Sequence, residues 1–141
     1  MQKYFIIMQG VSGSGKSFIA ETLGQSLMAP VFSTDKLFMV GGKYMFDRGK
    51  LGYNHEKTRE MVRNAMVDGL PTIILDNTNT TQKEVNPYLE MAKEFGYTVQ
   101  VVSVQTSVET AKAQNSTRAA DRMIPESVID MQAQRIQKLK I

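Results

Sequence analysis

The sequence predicts an α/β fold, with a parallel sheet of four or five strands and helices on both faces. Three observations predict it. The apolar, β-prone run Tyr4–Met8 leads through a glycine-rich turn into a segment with helical spacing. Two later apolar runs, Val31–Ser33 and Thr72–Leu75, each lead to an aspartate, Asp35 and Asp76. Between the extended runs lie stretches with apolar residues three and four apart, the pattern of crossover helices.

The turn after the first strand is Gly10-Val11-Ser12-Gly13-Ser14-Gly15-Lys16-Ser17. It fits the phosphate-binding P-loop, a glycine, four residues, then Gly-Lys-Ser. A polyphosphate needs converging backbone N–H groups with no Cβ atoms in the way, and Gly10, Gly13 and Gly15 permit that path. Ser12 and Ser14 complete the wrapped loop. Lys16 supplies a point charge for the β- and γ-phosphates, and the Ser17 hydroxyl is the expected Mg²⁺ ligand. The following helix, with Ile19, Leu23, Ser26 and Leu27 at helical spacing, aims its N-terminal N–H groups at the same anion. The predicted fold is therefore a P-loop NTPase or kinase fold that binds a nucleoside triphosphate with Mg²⁺.

Ala29-Pro30 ends that helix, and the short second strand Val31–Ser33 ends at Thr34-Asp35. Ligands of open parallel sheets sit beyond the carboxyl ends of strands, so Asp35 is a candidate to take a proton from an attacking hydroxyl. The alternative is that Thr34 or Asp35 caps a short helix over Lys36–Met39. Residues 40–53 show no clear period and form a long connection, expected to be a substrate-side loop. Within it Tyr44 or Phe46 can stack on a base or tuck back into the core.

Asn54 is placed to cap a helix reaching about Asp68, with Thr58, Met61, Val62, Ala65 and Met66 inward and Gly69-Leu70-Pro71 as its stop. His55 in its first turn is expected to be a surface or hydrogen-bonded structural histidine. Thr72–Asp76 is a buried parallel strand next to the P-loop strand. Asp76 at its end either works on Mg²⁺ through water or only holds the site in shape. Asn77 and Asn79 are expected to form the loop there, within reach of substrate.

Thr81 and Glu84 form a capping-box pattern for a helix through Phe95, closed by Gly96, which either restarts or bends at Pro87. Tyr97–Gln105 is the next strand, and Ser107 begins a helix to about Gln114. The last helix opens at Pro125 with the stripe Ile129, Ala133, Ile136, Leu139. Between them, in a segment over 115–125, lie Arg118 and Arg122, on one side of a helical turn. They can close as a lid over the phosphates and neutralise the moving phosphoryl group. The alternative is a surface ion pair with Asp121 or Glu126.

The 141 residues are most simply one domain, with no run long enough to span a membrane and no cysteine. That excludes disulfides, thiolate metal sites and cysteine nucleophiles. The N-terminus runs straight into the first strand, so no signal peptide is expected. With nucleotide dependence, this favours the cytoplasm. The net charge of +3 is mild, and its basic residues suit a solvated surface as well as a polyanion groove.

Together these residues resemble the small P-loop kinases related to the kinase domain of bacteriophage polynucleotide 5′-kinase. The similarity rests on Gly10–Ser17, on Ser33-Thr34-Asp35, and on Ile74-Leu75-Asp76-Asn77-Thr78-Asn79 followed by Pro87-Tyr88. Gly96-Tyr97, Asn115-Ser116-Thr117-Arg118 and Ile124-Pro125 extend it over nearly the whole chain. The resemblance implies transfer of the γ-phosphate of ATP to a hydroxyl, with Asp35 as general base, Lys16 and Ser17 on phosphate and Mg²⁺, and Arg118 as a lid arginine. It further implies nucleic acid, DNA in the first place, as acceptor, and a host's cytoplasm as the location if the chain is phage-encoded. One departure stands out. Where that kinase has an arginine for substrate phosphate shortly after the base, this chain has Phe38, with Lys36 as a partial substitute. Related phage enzymes phosphorylate hydroxymethyl groups on pyrimidines within DNA, which keeps a primary alcohol as acceptor. Two rival readings remain beside this one: a kinase for a nucleoside, nucleotide or other small metabolite, and an ATP-switched binding protein without transfer activity.

Overall fold

The first strand, β1 (Tyr4–Gln9), lies inside a four-stranded parallel sheet. Its neighbours are β5 (Thr72–Leu75), paired in the register Tyr4↔Thr72 to Ile7↔Leu75, and β6 (Thr98–Ser103), paired from Tyr4↔Thr98 to Gln9↔Ser103. The short β2 (Val31–Phe32) adds to the outer side of β5, giving the order β2-β5-β1-β6. The computed structural model describes residues 1–118, 123–137 and 139. Among them the sheet has four strands, within the expected four or five.

Both faces are covered, because alternate residues of the central strands point to opposite sides. Phe5, Ile7, Ile73 and Leu75 face one way, against α2 (Leu51–Val67) and α3 (Gln82–Phe95). Ile6, Met8 and Ile74 face the other way, against α1 (Lys16–Leu27). On α1 the deepest positions are Ala20 and Gly24, whereas Leu27 is exposed. The small side chains let the helix lie close to the strands: a Cβ on Gly24 would stand 2.7 Å from Val31 Cγ2. The larger Ile19 and Leu23 only flank that contact. A third cluster, Val11, Ala111 and Ile129, joins α4 (Val108–Ser116) and α5 (Glu126–Ile136) to the loop after β1.

The stretch 40–53, expected as a loop, is more ordered than its sequence suggests. Met39–Val40 (β3) and Lys43–Tyr44 (β4) form an antiparallel hairpin. Its turn is Gly41-Gly42, at φ 57° and 80°, the paired positive angles that two-residue hairpins favour. Asp47 then accepts from the Gly49 N–H at 2.9 Å and starts a short turn of 3₁₀ helix that leads directly into α2. The helix therefore begins at Leu51, and Asn54 is a buried interior residue rather than its cap. In α3, Thr81 accepts from the Glu84 N–H at 3.3 Å as expected. The helix neither restarts at Pro87 nor breaks, but runs through it to Gly96 at φ 74°. No helix among the described residues is long and apolar enough to cross a membrane.

Candidate active site

The strand order sets three carboxyl ends in a row: the P-loop after β1, Asp76 after β5 and Asp35 after β2. Gly13 and Gly15 take φ 84° and 87°, values costly for any residue with a Cβ. A Cβ on Gly15 would meet nothing within 4 Å, so its positive φ rather than crowding is what favours glycine there. A Cβ on Gly13 would stand 2.2 Å from the Ala111 carbonyl oxygen, so the loop there packs against α4. These features fit a triphosphate.

Other parts of the chain fix the rest of the loop. Gln132 Oε1, from α5, accepts from the Ser12 N–H at 2.8 Å, both residues being buried. Thr106 Oγ1 donates to the Ser14 carbonyl at 2.9 Å. Ser14 Oγ is buried with no hydrogen-bond partner among the described residues; a Cβ on Gly10 would lie 2.8 Å from it, so Gly10 gives it room.

Lys16 donates to the Asp76 carboxylate, forming a buried ion pair. A hydrogen bond to an ionised partner is the arrangement that keeps two such charges inside a protein. Asp76 is thereby brought against the P-loop, as expected of the strand neighbouring it. Ser17 opens the first turn of α1 and is exposed. Its hydroxyl and the Asp76 carboxylate are hard oxygen donors of the kind Mg²⁺ takes, one or two from protein and the rest from phosphate and water. Among the described residues no group of three or more His, Asp or Glu side chains is set to hold a metal alone.

Asp35 stands at the same edge, exposed, with Tyr44 Oη donating to its Oδ1 at 3.4 Å. Thr34, at the N-cap position, makes no side-chain cap. Its Oγ1 instead meets Thr58 Oγ1 at 3.0 Å and His55 Nδ1 at 3.4 Å, and its N–H donates to Asn77 Oδ1 at 2.9 Å. The capping alternative for Thr34 is therefore wrong, since its hydroxyl is turned inward to α2. His55 is the hydrogen-bonded structural histidine expected. Asn79, at φ 53°, donates to the Met8 and Asn77 carbonyls at 2.7 and 3.0 Å and ties the end of β1 to the end of β5. The Tyr88 hydroxyl is buried below this layer without a hydrogen bond of good geometry. Burial pushes its pKa up to about 12, opposed by smaller effects of the Arg59 guanidinium and the nearby Asn77 side chain.

Arg118 follows α4 and is exposed, its N–H donating to the Asn115 carbonyl at 3.1 Å. Arg122, the second expected lid arginine, lies outside the described residues. The buried Asn115 joins the two ends of that segment, donating from Nδ2 to the Ile124 carbonyl at 2.6 Å and accepting the Ile124 N–H at 3.0 Å. Sequence reading passed over Gln132, although its position offered a signal: it falls on the apolar stripe of the last helix, between Ile129 and Ala133, where an amide needs a partner.

A comparison with known proteins agrees with this geometry. The profile of the AAA domain family matches residues 5–139. NEDD4-binding protein 2 of Homo sapiens is 37% identical over 95 residues, 67% of this chain but 5% of that protein. A chain of the Pnkp1/Rnl/Hen1 RNA repair complex superposes with a TM-score of 0.79 at 17% identity, covering 96% of this chain and 44% of that one. A gluconokinase from Sinorhizobium meliloti 1021 superposes at 0.64 with 18% identity, over 94% of this chain and 74% of its own. The chain thus spans less than half the length of the first two relatives. The fold is that of P-loop kinase-like proteins, and the chain belongs to the AAA domain family.

Proposed function

We propose that the protein is an ATP-dependent phosphotransferase that moves the γ-phosphate of ATP to a hydroxyl on nucleic acid, either a 5′-hydroxyl end or a hydroxymethyl base in DNA. The observation that carries this reading is the placement of the exposed Asp35 carboxylate at the same sheet edge as the P-loop, with Thr34 beside it fastened to Asn77 and Thr58. Residues 10–17 would hold the triphosphate, and Ser17 and Asp76, directly or through water, would hold a Mg²⁺ that neutralises phosphate charge. Asp35 accepts the acceptor's proton as its oxygen attacks the γ-phosphorus, and the bond from phosphorus to ADP breaks. Lys16, Arg118 and Arg122 balance the charge of the moving group. Such a transfer needs mainly positioning and charge neutralisation, which this set of residues supplies. The likeness to a chain of an RNA repair complex supports a nucleic-acid acceptor.

A kinase for a small metabolite is the second reading, favoured by the likeness to a gluconokinase. Both are tested by one incubation of γ-labelled ATP with 5′-hydroxyl DNA and RNA, hydroxymethyl-modified DNA, nucleosides, nucleotides and sugars. Label retained on an oligonucleotide supports the first reading. Label on a small molecule alone replaces it with the second, and label on nothing but released phosphate rejects transfer.

A further inference from the structure

Between Asp35 and α2 the chain builds a surface that the phosphate machinery does not use. Met45, Phe46 and Tyr53 are exposed by 57%, 52% and 68%, values that mark side chains held out in water rather than tucked into the core. Among them stand the exposed Lys43, Arg48 and Lys50. The one acidic residue over 39–53, Asp47, spends its carboxylate on the Gly49 N–H. Apolar and aromatic faces interleaved with positive charge therefore make up this surface.

The surface is held by a buried anchor. Phe38 is 2% exposed and packs edge-on against Tyr44 at 6.2 Å and tilted against Phe46 at 5.1 Å between ring centroids. Its carbonyl accepts the Met45 N–H at 2.8 Å. Phe38 occupies the place where the resemblance calls for a phosphate-binding arginine, and the hairpin explains why a phenylalanine is there. Positive charge lies close by, at Lys43 on the hairpin and at Arg48 and Lys50 in the 3₁₀ turn after it. Tyr44, on the same hairpin, reaches Asp35.

We infer that residues 39–53 are a docking surface for a single-stranded stretch of nucleic acid beside the acceptor hydroxyl, with bases stacked on Phe46 and Tyr53 and phosphates against Lys43, Arg48 and Lys50. This rests on the reading of Asp35 as the acceptor-side carboxylate. Charge complementarity selects a polyanion, and the aromatic faces select unpaired bases, because a duplex hides its base faces in its own stack. Each stacked base is worth about fivefold or more in affinity in such sites, and each neutralised phosphate of a single strand adds about 0.7 to the slope of log affinity against log salt.

The test is fluorescence anisotropy of labelled single-stranded and duplex oligonucleotides with the full chain and a non-hydrolysable ATP analogue, over a salt series. The native chain is expected to prefer the single strand. Tyr53→Ala is expected to weaken that binding about fivefold or more, with Tyr53→Phe restoring it. Phe46→Ala should act likewise, and Phe46→Trp retain binding. The combined Lys43→Gln, Arg48→Gln, Lys50→Gln variant is expected to lower the salt slope by about two. Nucleotide affinity is expected to stay the same throughout. Because Phe46 also packs on Phe38, Tyr53 on the helix is the independent arm. Equal affinity for single strand and duplex, no oligonucleotide binding, or no effect of either Tyr53→Ala or the charge variant would overturn the inference. The readout needs no transfer, so docking that persists without phosphorylation of any oligonucleotide rejects the kinase reading alone. Transfer to a free nucleoside with no docking rejects the surface alone.

Discussion

The two halves of the site are built in opposite ways. On the nucleotide side, the P-loop is held from behind by Gln132, by Thr106 and by the close packing of Gly13 on Ala111, and its lysine is already paired with Asp76. On the side proposed to receive the acceptor, Asp35 is exposed with one long hydrogen bond from Tyr44, on a hairpin of two-residue strands. A loop that must present N–H groups to phosphate gains from being fixed before the ligand arrives, since no ordering then remains to oppose binding. A surface that takes a large acceptor, as proposed for this one, cannot be enclosed in advance. Damage on the two sides should therefore read out differently.

The sharpest break is Asp35→Asn. Turnover should fall about 10²–10⁴-fold, with nucleotide affinity and thermal midpoint unchanged, because the side chain is exposed and its removal strands no buried partner. Phosphoryl-transfer rates measured beside a nucleotide titration decide it, and a lowered nucleotide affinity would mean the halves are not separate. Asp76→Asn leaves the Lys16 charge buried and unpaired, so the free protein should lose about 3 kcal/mol in urea unfolding, with part of it recovered when MgATP supplies the missing negative charge. Gly13→Ala combines a positive φ with a Cβ driven into a backbone oxygen, and should cost about 2–3 kcal/mol together with much of the nucleotide affinity. Calorimetric titration and unfolding curves read both effects. Gln132→Leu orphans the Ser12 N–H and should cost about 1–2 kcal/mol, weakening ATP about tenfold while leaving transfer from bound ATP nearly unaltered.

The smallest effect at neutral pH belongs to Tyr88→Phe, since the hydroxyl has no hydrogen-bond partner among the described residues. Its signature lies in alkali. The folded chain keeps the phenolic proton up to about 12, against the ordinary phenol value of 10.0, so this contribution is complete below the lower figure and lost as pH rises toward the higher one. Native stability should fall by on the order of 1 kcal/mol per pH unit across that window, and more gently in the variant.

What the sequence disclosed follows the same division. The P-loop, the buried strands and the carboxylate at the end of β5 were legible because each is local: a glycine spacing, an apolar run, a single residue at a strand end. The adjacency of Asp76 to the P-loop is foreseen on that side. The hairpin over 39–44 was hidden, since its strands are two residues each and its apolar residues point outward, which erases the alternation that marks a half-buried strand. The sequence points to a later start for α2 because an asparagine is a good cap in the abstract, whereas Asn54 is drawn inside and α2 follows directly from a 3₁₀ turn that Asp47 caps. Gln132 and Asn115 act on residues 120 and nine positions away, a matter of tertiary packing that no local pattern reports.

The pairing of Lys16 with Asp76 bears on which anions the cradle admits. Before any ligand enters, the positive head group there is already neutralised from within, so the pocket offers little general pull on anions from solution. A lone orthophosphate or sulfate would have to oust a buried carboxylate with a charge hardly greater than the one it displaces. A polyphosphate that arrives with its own divalent counterion brings several oxygens at once and gives the displaced carboxylate somewhere to turn. The abundant small anions of a cell should therefore be poor competitors, and the same triphosphate stripped of its cation should bind much more weakly.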